Sequence, residues 1–191
     1  MPNHSCNAPS PSRIAGIFRC VFFLGGAILL LTYPKLSIAT AMRMATLPEL
    51  VHSADLVVTG QVLSQEARWH DTRIYTHSRV RINETWVGEQ TPGTSIDVMA
   101  FGGVVGAIGQ SVGGAANLQV GSQVLLYLVR GDESSFRAVA MWQGVFHIDD
   151  PATSARLRRT SAGTRIVGDR PGFPGDLITM RQAVEDILRA P

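Results

Sequence analysis

The sequence predicts a mainly β domain assembled from short antiparallel strands, and three observations carry that prediction. Between Leu56 and Val129, short segments either alternate apolar and polar side chains or are apolar throughout, as strands do. Turn-forming clusters separate several of them: His70-Asp71-Thr72-Arg73, Thr91-Pro92-Gly93-Thr94 and Gly131-Asp132-Glu133-Ser134-Ser135. Helical spacing shows only near the two ends of the part that follows residue 41. Parallel strands need long crossover connections, usually helical, and strands joined by tight turns do not supply them.

Taken in order, TLPELVHSAD reads as a short helix, with Thr46 as N-cap, Pro48 and Glu49 in the first turn, and Leu47, Leu50 and Val51 on one side. DLVVTGQVLSQEARW alternates, placing Leu56, Val58 and Val62 on one face, with a bulge or bend at Gly60. IYTHSRVRI returns with Ile74, Thr76, Val80 and Ile82 inward, so that a two-residue turn at Asp71-Thr72 makes an antiparallel hairpin. SIDVMAF is the third strand, and SQVLLYLV, apolar on both sides, is one covered on both faces. FRAVAMW follows the turn at Gly131, and VFHID with SARLRRT forms a further short hairpin. The Pro/Gly-rich link DRPGFPGD leads to a helix capped by Asp176, whose Leu177, Met180, Val184, Ile187 and Leu188 fall at helical spacing.

Together these elements predict an antiparallel OB-like barrel of five to six strands, with a short N-terminal helix and a C-terminal helix. The expected organisation is a signal peptide over 1–41, the barrel over 42–170, and over 171–191 a linker and helix packed on the barrel, covering one opening. Trp86 and Trp142, at strand ends, are expected to plug the barrel.

Arg13 and Arg19 flank the apolar stretch VFFLGGAILLLT, and Ala39-Thr40-Ala41 supplies the small residues of a signal-peptidase site. The apolar run is shorter than a membrane span, so a membrane enters only if the leader is retained as an anchor. Cleavage after Ala41 leaves about 150 residues, enough for one domain. Both cysteines, Cys6 and Cys20, precede the cut, so the remainder holds no disulfide, thiol nucleophile or thiolate ligand. Of 17 basic and 15 acidic residues, Arg13, Arg19 and Lys35 are also removed, which leaves 14 against 15 and a net charge of −1. That near-neutral balance argues against nucleic acid as partner.

The stretch GQSVG, Gly109 to Gly113, matches the G-x-S-x-G elbow of serine hydrolases, and Ser111, Asp132 and His147 occur in the triad order of one such class. The elbow requires a strand, a sharp turn and then a helix. Here Gly113-Gly114 and Gly121 leave a segment too glycine-rich and too short for that helix, so no catalytic residue is assigned. Residues 102–114 read instead as a flexible hairpin extension between the third and fourth strands. No phosphate-loop or dinucleotide fingerprint is present, and no cofactor is expected. An Asp71-Thr72 turn puts Glu66 opposite His77, two possible ligands without a third, so no metal site is assigned. Tyr75, His77, Arg79 and Arg81 share the outward face of the second strand, a mixed aromatic and basic surface. With Trp69 beside the hairpin tip, they are the candidate partner-binding residues. ARLRRT is a second basic patch, read as solvated.

From Ser53 to Ile148 the pattern SADLVVTGQV, IYTHSRVRINETWVGEQ, VMAFGG, QVGSQVLLYL and WQGVFHI resembles a family of small exported bacterial proteins of unassigned activity. SADLVVTGQVLS, followed by a strand ending NETWVG, also resembles the netrin-like OB module of tissue inhibitors of metalloproteinases. That resemblance implies the barrel. The inhibitors grip zinc through an N-terminal cysteine, which the chain after residue 41 lacks. The sequence therefore points to a secreted or periplasmic, noncatalytic binding module for an extracytoplasmic protein or glycan. An accessory protein or inhibitor of an extracellular protease, and a small hydrolase using Ser111, are the alternatives.

Overall fold

The computed structural model describes residues 41–132, 134–149, 155–160, 165–167 and 172–190, all within one compact unit, Ala39–Pro191. The expected leader, save Ala41, and part of the DRPGFPGD link lie outside the described residues. In chain order the elements are β1 (Ala41–Arg43), α1 (Leu47–His52), β2 (Leu56–His70), β3 (Arg73–Val87), β4 (Ser95–Phe101), β5 (Gly103–Val105), β6 (Ile108–Gln110), β7 (Gln123–Arg130), β8 (Phe136–Ala138), a 3₁₀ turn (Met141–Gly144), β9 (Val145–Asp149), β10 (Arg156–Arg158), β11 (Arg165–Val167) and α2 (Leu177–Arg189). The fold is mainly β.

Local chemistry explains the helix starts. The Thr46 side chain accepts from the Glu49 N–H while the Glu49 carboxylate accepts from the Thr46 N–H at 2.8 Å, a closed capping box. Pro48 falls in the first turn, where a missing N–H breaks no helical bond. At α2 the Asp176 carboxylate accepts from the Thr179 N–H at 2.9 Å.

The main sheet has seven strands in the order β10-β9-β7-β2-β3-β4-β8, and β8 also pairs with β7. The pairings therefore run β7, β2, β3, β4, β8 and return to β7. This corrects two sequence expectations. The sheet is mixed, because β4 and β8 are parallel where Val98 meets Phe136, although every other pairing in it is antiparallel. The cause is arithmetic: directions cannot alternate around a circuit of five strands, so one neighbouring pair must run the same way. The strand count is also higher than expected. FRAVAMW does not continue as one strand, since Ala140 (φ 49°) and Met141 (φ 60°) turn left-handed and a 3₁₀ turn interposes before β9. β8 and β9 then pair with successive halves of the same edge of β7.

The first hairpin has the expected turn, with His70 paired to Arg73 across Asp71-Thr72 and Asp71 at φ 54°. Its register slips beside Gly60, where a Cβ would meet the Arg81 carbonyl oxygen at 2.5 Å, so only glycine fits that approach. The segment expected to be a flexible hairpin extension does contain a second hairpin, β5 with β6. It is pinned to the first: the Gly102 N–H donates to the Ile74 carbonyl at 2.8 Å, and the Ile74 N–H to Gln110 Oε1 at 2.6 Å.

Alternation along β2 and β7 separates two cores. Leu56, Val58, Val62, Leu126 and Leu128 join Val80, Ile82, Ile96 and Val98 in one. The intervening Val57, Leu125 and Tyr127 join Leu50, Phe146, Met180 and Val184 in the other. SQVLLYLV is apolar on both sides because it is covered on both faces. Here the expectation for α2 is corrected: its buried Met180 and Val184 cover the face opposite the first core rather than an opening, because Val57 and Tyr127 need that cover. Trp86 is half-buried beside α2, with the Arg181 guanidinium 5.7 Å from its ring centre. Trp142 is buried in the 3₁₀ turn, and among the described residues neither its Nε1–H nor the Tyr127 hydroxyl has a hydrogen-bond partner. The Arg159 guanidinium lies 3.9 Å from the centre of the Phe173 ring and 5.0 Å from that of Phe146, fastening the approach to α2. Burial brings the Arg159 pKa down to about 10.

Candidate functional site

On β3 the residues Arg73, Tyr75, His77, Arg79 and Arg81 alternate with the inward Ile74, Thr76, Ser78, Val80 and Ile82, so pleating alone sets the first group on the outer face. Strand register supplies their neighbours. Tyr75, His77 and Arg79 stand opposite Phe101, Met99 and Asp97 on β4, and opposite Arg68, Glu66 and Ser64 on β2. The far wall comes from the β7–β8 turn and the start of β8. That turn is closed by the Gly131 N–H to the Ser135 carbonyl at 2.8 Å and by the Ser135 hydroxyl to the Asp132 carbonyl at 2.6 Å.

Between these walls lie two adjoining depressions. One, of about 620 Å³, takes in Glu66, Arg68, His77, Arg79, Asp97 and Phe136. The other, of about 390 Å³, takes in Trp69, His70, Tyr75, Met99, Asp132 and Arg137. Arg68, His77 and Asp97 belong to both, so the two form one groove.

Its charges are partly paired. His77 Nδ1 lies 2.7 Å from Asp97 Oδ2, and the Arg68 guanidinium donates to Glu66 at 2.6 Å. The hydrogen bond from Arg68 and then its charge hold the Glu66 carboxyl below the usual carboxylate range, and Glu66 raises Arg68 in return. Among the described residues, Arg79 and Arg137 make no ion pair or side-chain hydrogen bond. Arg79 offers a cationic donor in the first depression, and Arg137 one in the second beside Tyr75, whose ring is tilted against that of Phe101 with centres 5.2 Å apart. Trp69 is 46% exposed at the groove's end.

The groove thus collects Trp69, Tyr75, His77 and Arg79. Arg81 lies on the same face but donates to Gln61 at 3.2 Å and lines neither depression. Sequence reasoning missed Asp97, Met99, Asp132 and Arg137. The first two were readable from the alternation of SIDVMAF, whereas the other two reach the groove only because β8 pairs with both β4 and β7.

Glu66 does pair with His77 across the hairpin. Among the described residues no three His, Cys, Asp or Glu side chains are grouped to hold a metal ion. Ser111 follows β6, and residues 111–122 hold turns and irregular backbone without a helix. It borders a separate cleft that includes neither Asp132 nor His147. His147 is buried on β9 between Val124 and Arg158, and burial, then the Arg158 charge, lowers its pKa. Among the described residues no helix is long and apolar enough to cross a membrane. No protein-family model and no curated protein matches the chain.

Proposed function

We propose that the chain is an exported, noncatalytic binding module of the cell envelope or extracellular space, whose OB-like barrel offers the outer groove of β3 and β4 to an extracytoplasmic protein or glycan. The circuit of pairings from β7 through β2, β3, β4 and β8 back to β7 supports the barrel, and barrels of this kind bind extended ligands on the face of their second and third strands. The observation that carries the reading is the groove itself. Among the described residues it sets two guanidinium groups without ion-pair partners, Arg79 in the first depression and Arg137 beside Tyr75 in the second, between a hairpin tip and a turn.

The test is capture of ligands from the native extracellular fraction by the protein and by the variants Arg79→Ala and Arg137→Ala. Arg79 is exposed and Arg137 half-buried, and neither belongs to a core, so thermal midpoints should match the parent. Affinity should fall roughly tenfold where a charge-assisted hydrogen bond is lost. Capture unchanged in both variants sinks the proposal. Parallel assays for stoichiometric protease inhibition and for ester turnover separate this reading from an inhibitor and from a hydrolase.

A further inference from the structure

The inner column of β3 changes character along its length. Ile82 and Val80 belong to the first core, but Ser78 and Thr76 continue the column with hydroxyls. Beside them stand Gln65 on β2, paired with Ser78, and Ala100 on β4, paired with Thr76. The glycine-rich chain between β4 and β7 comes down over this end, leaving a cleft of about 310 Å³ bordered by Gln65, Thr76, Ser78, Gln110, Ser111 and Asn117. Glycine allows the approach: a Cβ on Gly103 would lie 2.6 Å from Thr76 Oγ1, and one on Gly102 would lie 2.7 Å from the Gln110 carbonyl oxygen.

Among the described residues no charged side chain borders this cleft, although the outer groove is crowded with them. The covering chain explains the contrast, since the sequence from Val98 through Val129 contains no Asp, Glu, Lys or Arg. The cleft's polar groups are fixed yet unsaturated. The Thr76 hydroxyl donates to the Gly102 carbonyl at 2.7 Å, and Gln65 Nε2 donates to Ser78 Oγ at 3.0 Å and to the Leu118 carbonyl. That leaves Gln65 Oε1 and the remaining Thr76 lone pair as acceptors and the Ser78 hydroxyl hydrogen as a donor. Among the described residues the Ser111 and Asn117 side chains make no hydrogen bond.

We propose that this cleft is a second binding site, distinct from the outer groove, for an uncharged polyhydroxylated ligand, a neutral sugar of one or two rings. A charged ligand would lose water there without meeting a counter-charge, and an apolar one would strand hydroxyls and amides. A neutral sugar matches donors with acceptors in both directions, and Val112, Ala115 and Ala116 give the lining an apolar part. The volume lies at the small end of ligand sites, which run from about 300 to 1,000 Å³.

The experiment is an amide chemical-shift titration of the whole chain with maltotriose, cellotriose and N,N′,N″-triacetylchitotriose as neutral probes. A galacturonate trisaccharide serves as the charged probe and a serine/asparagine-rich peptide as the non-sugar one. At least one neutral trisaccharide should shift the amides of Gly102, Gly103, Ser111 and Asn117 saturably. Asn117→Ala and Ser111→Arg, both at exposed positions, should weaken that binding about tenfold or more. Arg79→Ala should leave it unchanged, which separates this site from the outer groove. Three results would each overturn the proposal: no saturable shift with any neutral probe at millimolar concentration, shifts at Tyr75 and His77 in place of the cleft amides, or an equal response to the galacturonate or the peptide.

Discussion

Removing α2 by ending the chain at Gly175 tests whether the helix belongs to the fold or is a detachable arm. Met180 and Val184 are 0% and 1% exposed, packed with Leu50, Val57, Tyr127 and Phe146. Burial of a side chain of this kind contributes about 1.5–3 kcal/mol, so these two account for roughly 3–6 kcal/mol before the partners they uncover are counted. A domain has only about 5–15 kcal/mol in total, so the shortened protein should be unfolded or aggregated. A gentler version keeps the experiment quantitative. Met180→Ala should cost about 2–5 kcal/mol, and at about 2–4 °C per kcal/mol for a domain of this size its thermal midpoint should fall by roughly 4–20 °C. Ile178→Ala, at a position 81% exposed, is the control and should stay within about 0.5 kcal/mol of the parent. The assay is circular dichroism during heating, with urea unfolding as a second measure. A cooperative transition at an unchanged midpoint in both the truncation and Met180→Ala would refute the packing argument and make the helix an arm free to bind elsewhere.

Tyr127→Phe removes a buried hydroxyl that has no hydrogen-bond partner among the described residues, so urea unfolding should show no loss and up to about 1 kcal/mol of gain. His147 should give stability a pH dependence, because burial lowers its folded pKa below the ordinary value near 6.5. The unfolded chain then binds more protons, so the His147 contribution is complete above about pH 6.5 and is lost as pH falls through the folded value. Urea unfolding across that range should show this slope, and His147→Gln should flatten it. Ser111→Ala should leave the thermal midpoint unchanged, and a fluorophosphonate probe should not label Ser111 in the native protein. Mass spectrometry of the exported form should find its first residue at or near Met42.

Features with a local cause were readable from the sequence. The Thr46–Glu49 box, the Asp71-Thr72 turn, the bounds of β4 and the Asp176 cap all depend on residues within a few positions of one another. β8 was not separable from its surroundings, because three residues carry no period of their own and its place is set by pairing with Arg130 and Val98. Nor does any residue type announce the left-handed Ala140 and Met141, where glycine or asparagine would be expected. The groove divides in the same way. Alternation identifies the face carrying Tyr75, His77 and Arg79, but not how far a depression extends along it, so Arg81 shares the face and falls outside the groove. Asp132 and Arg137 arrive through non-local pairing.

Site-specific photo-crosslinking tests the groove most directly. A benzoylphenylalanine would replace Tyr75 in one preparation and Ile178, exposed on α2, in another, and each would be irradiated with the protein's own extracellular fraction. Adducts from position 75 to a discrete protein or glycan, competed by unlabelled parent and absent from position 178, are expected. Adducts from position 178 alone, or none from position 75 while the parent still captures its ligand, would contradict a binding site on the outer face of β3 and β4.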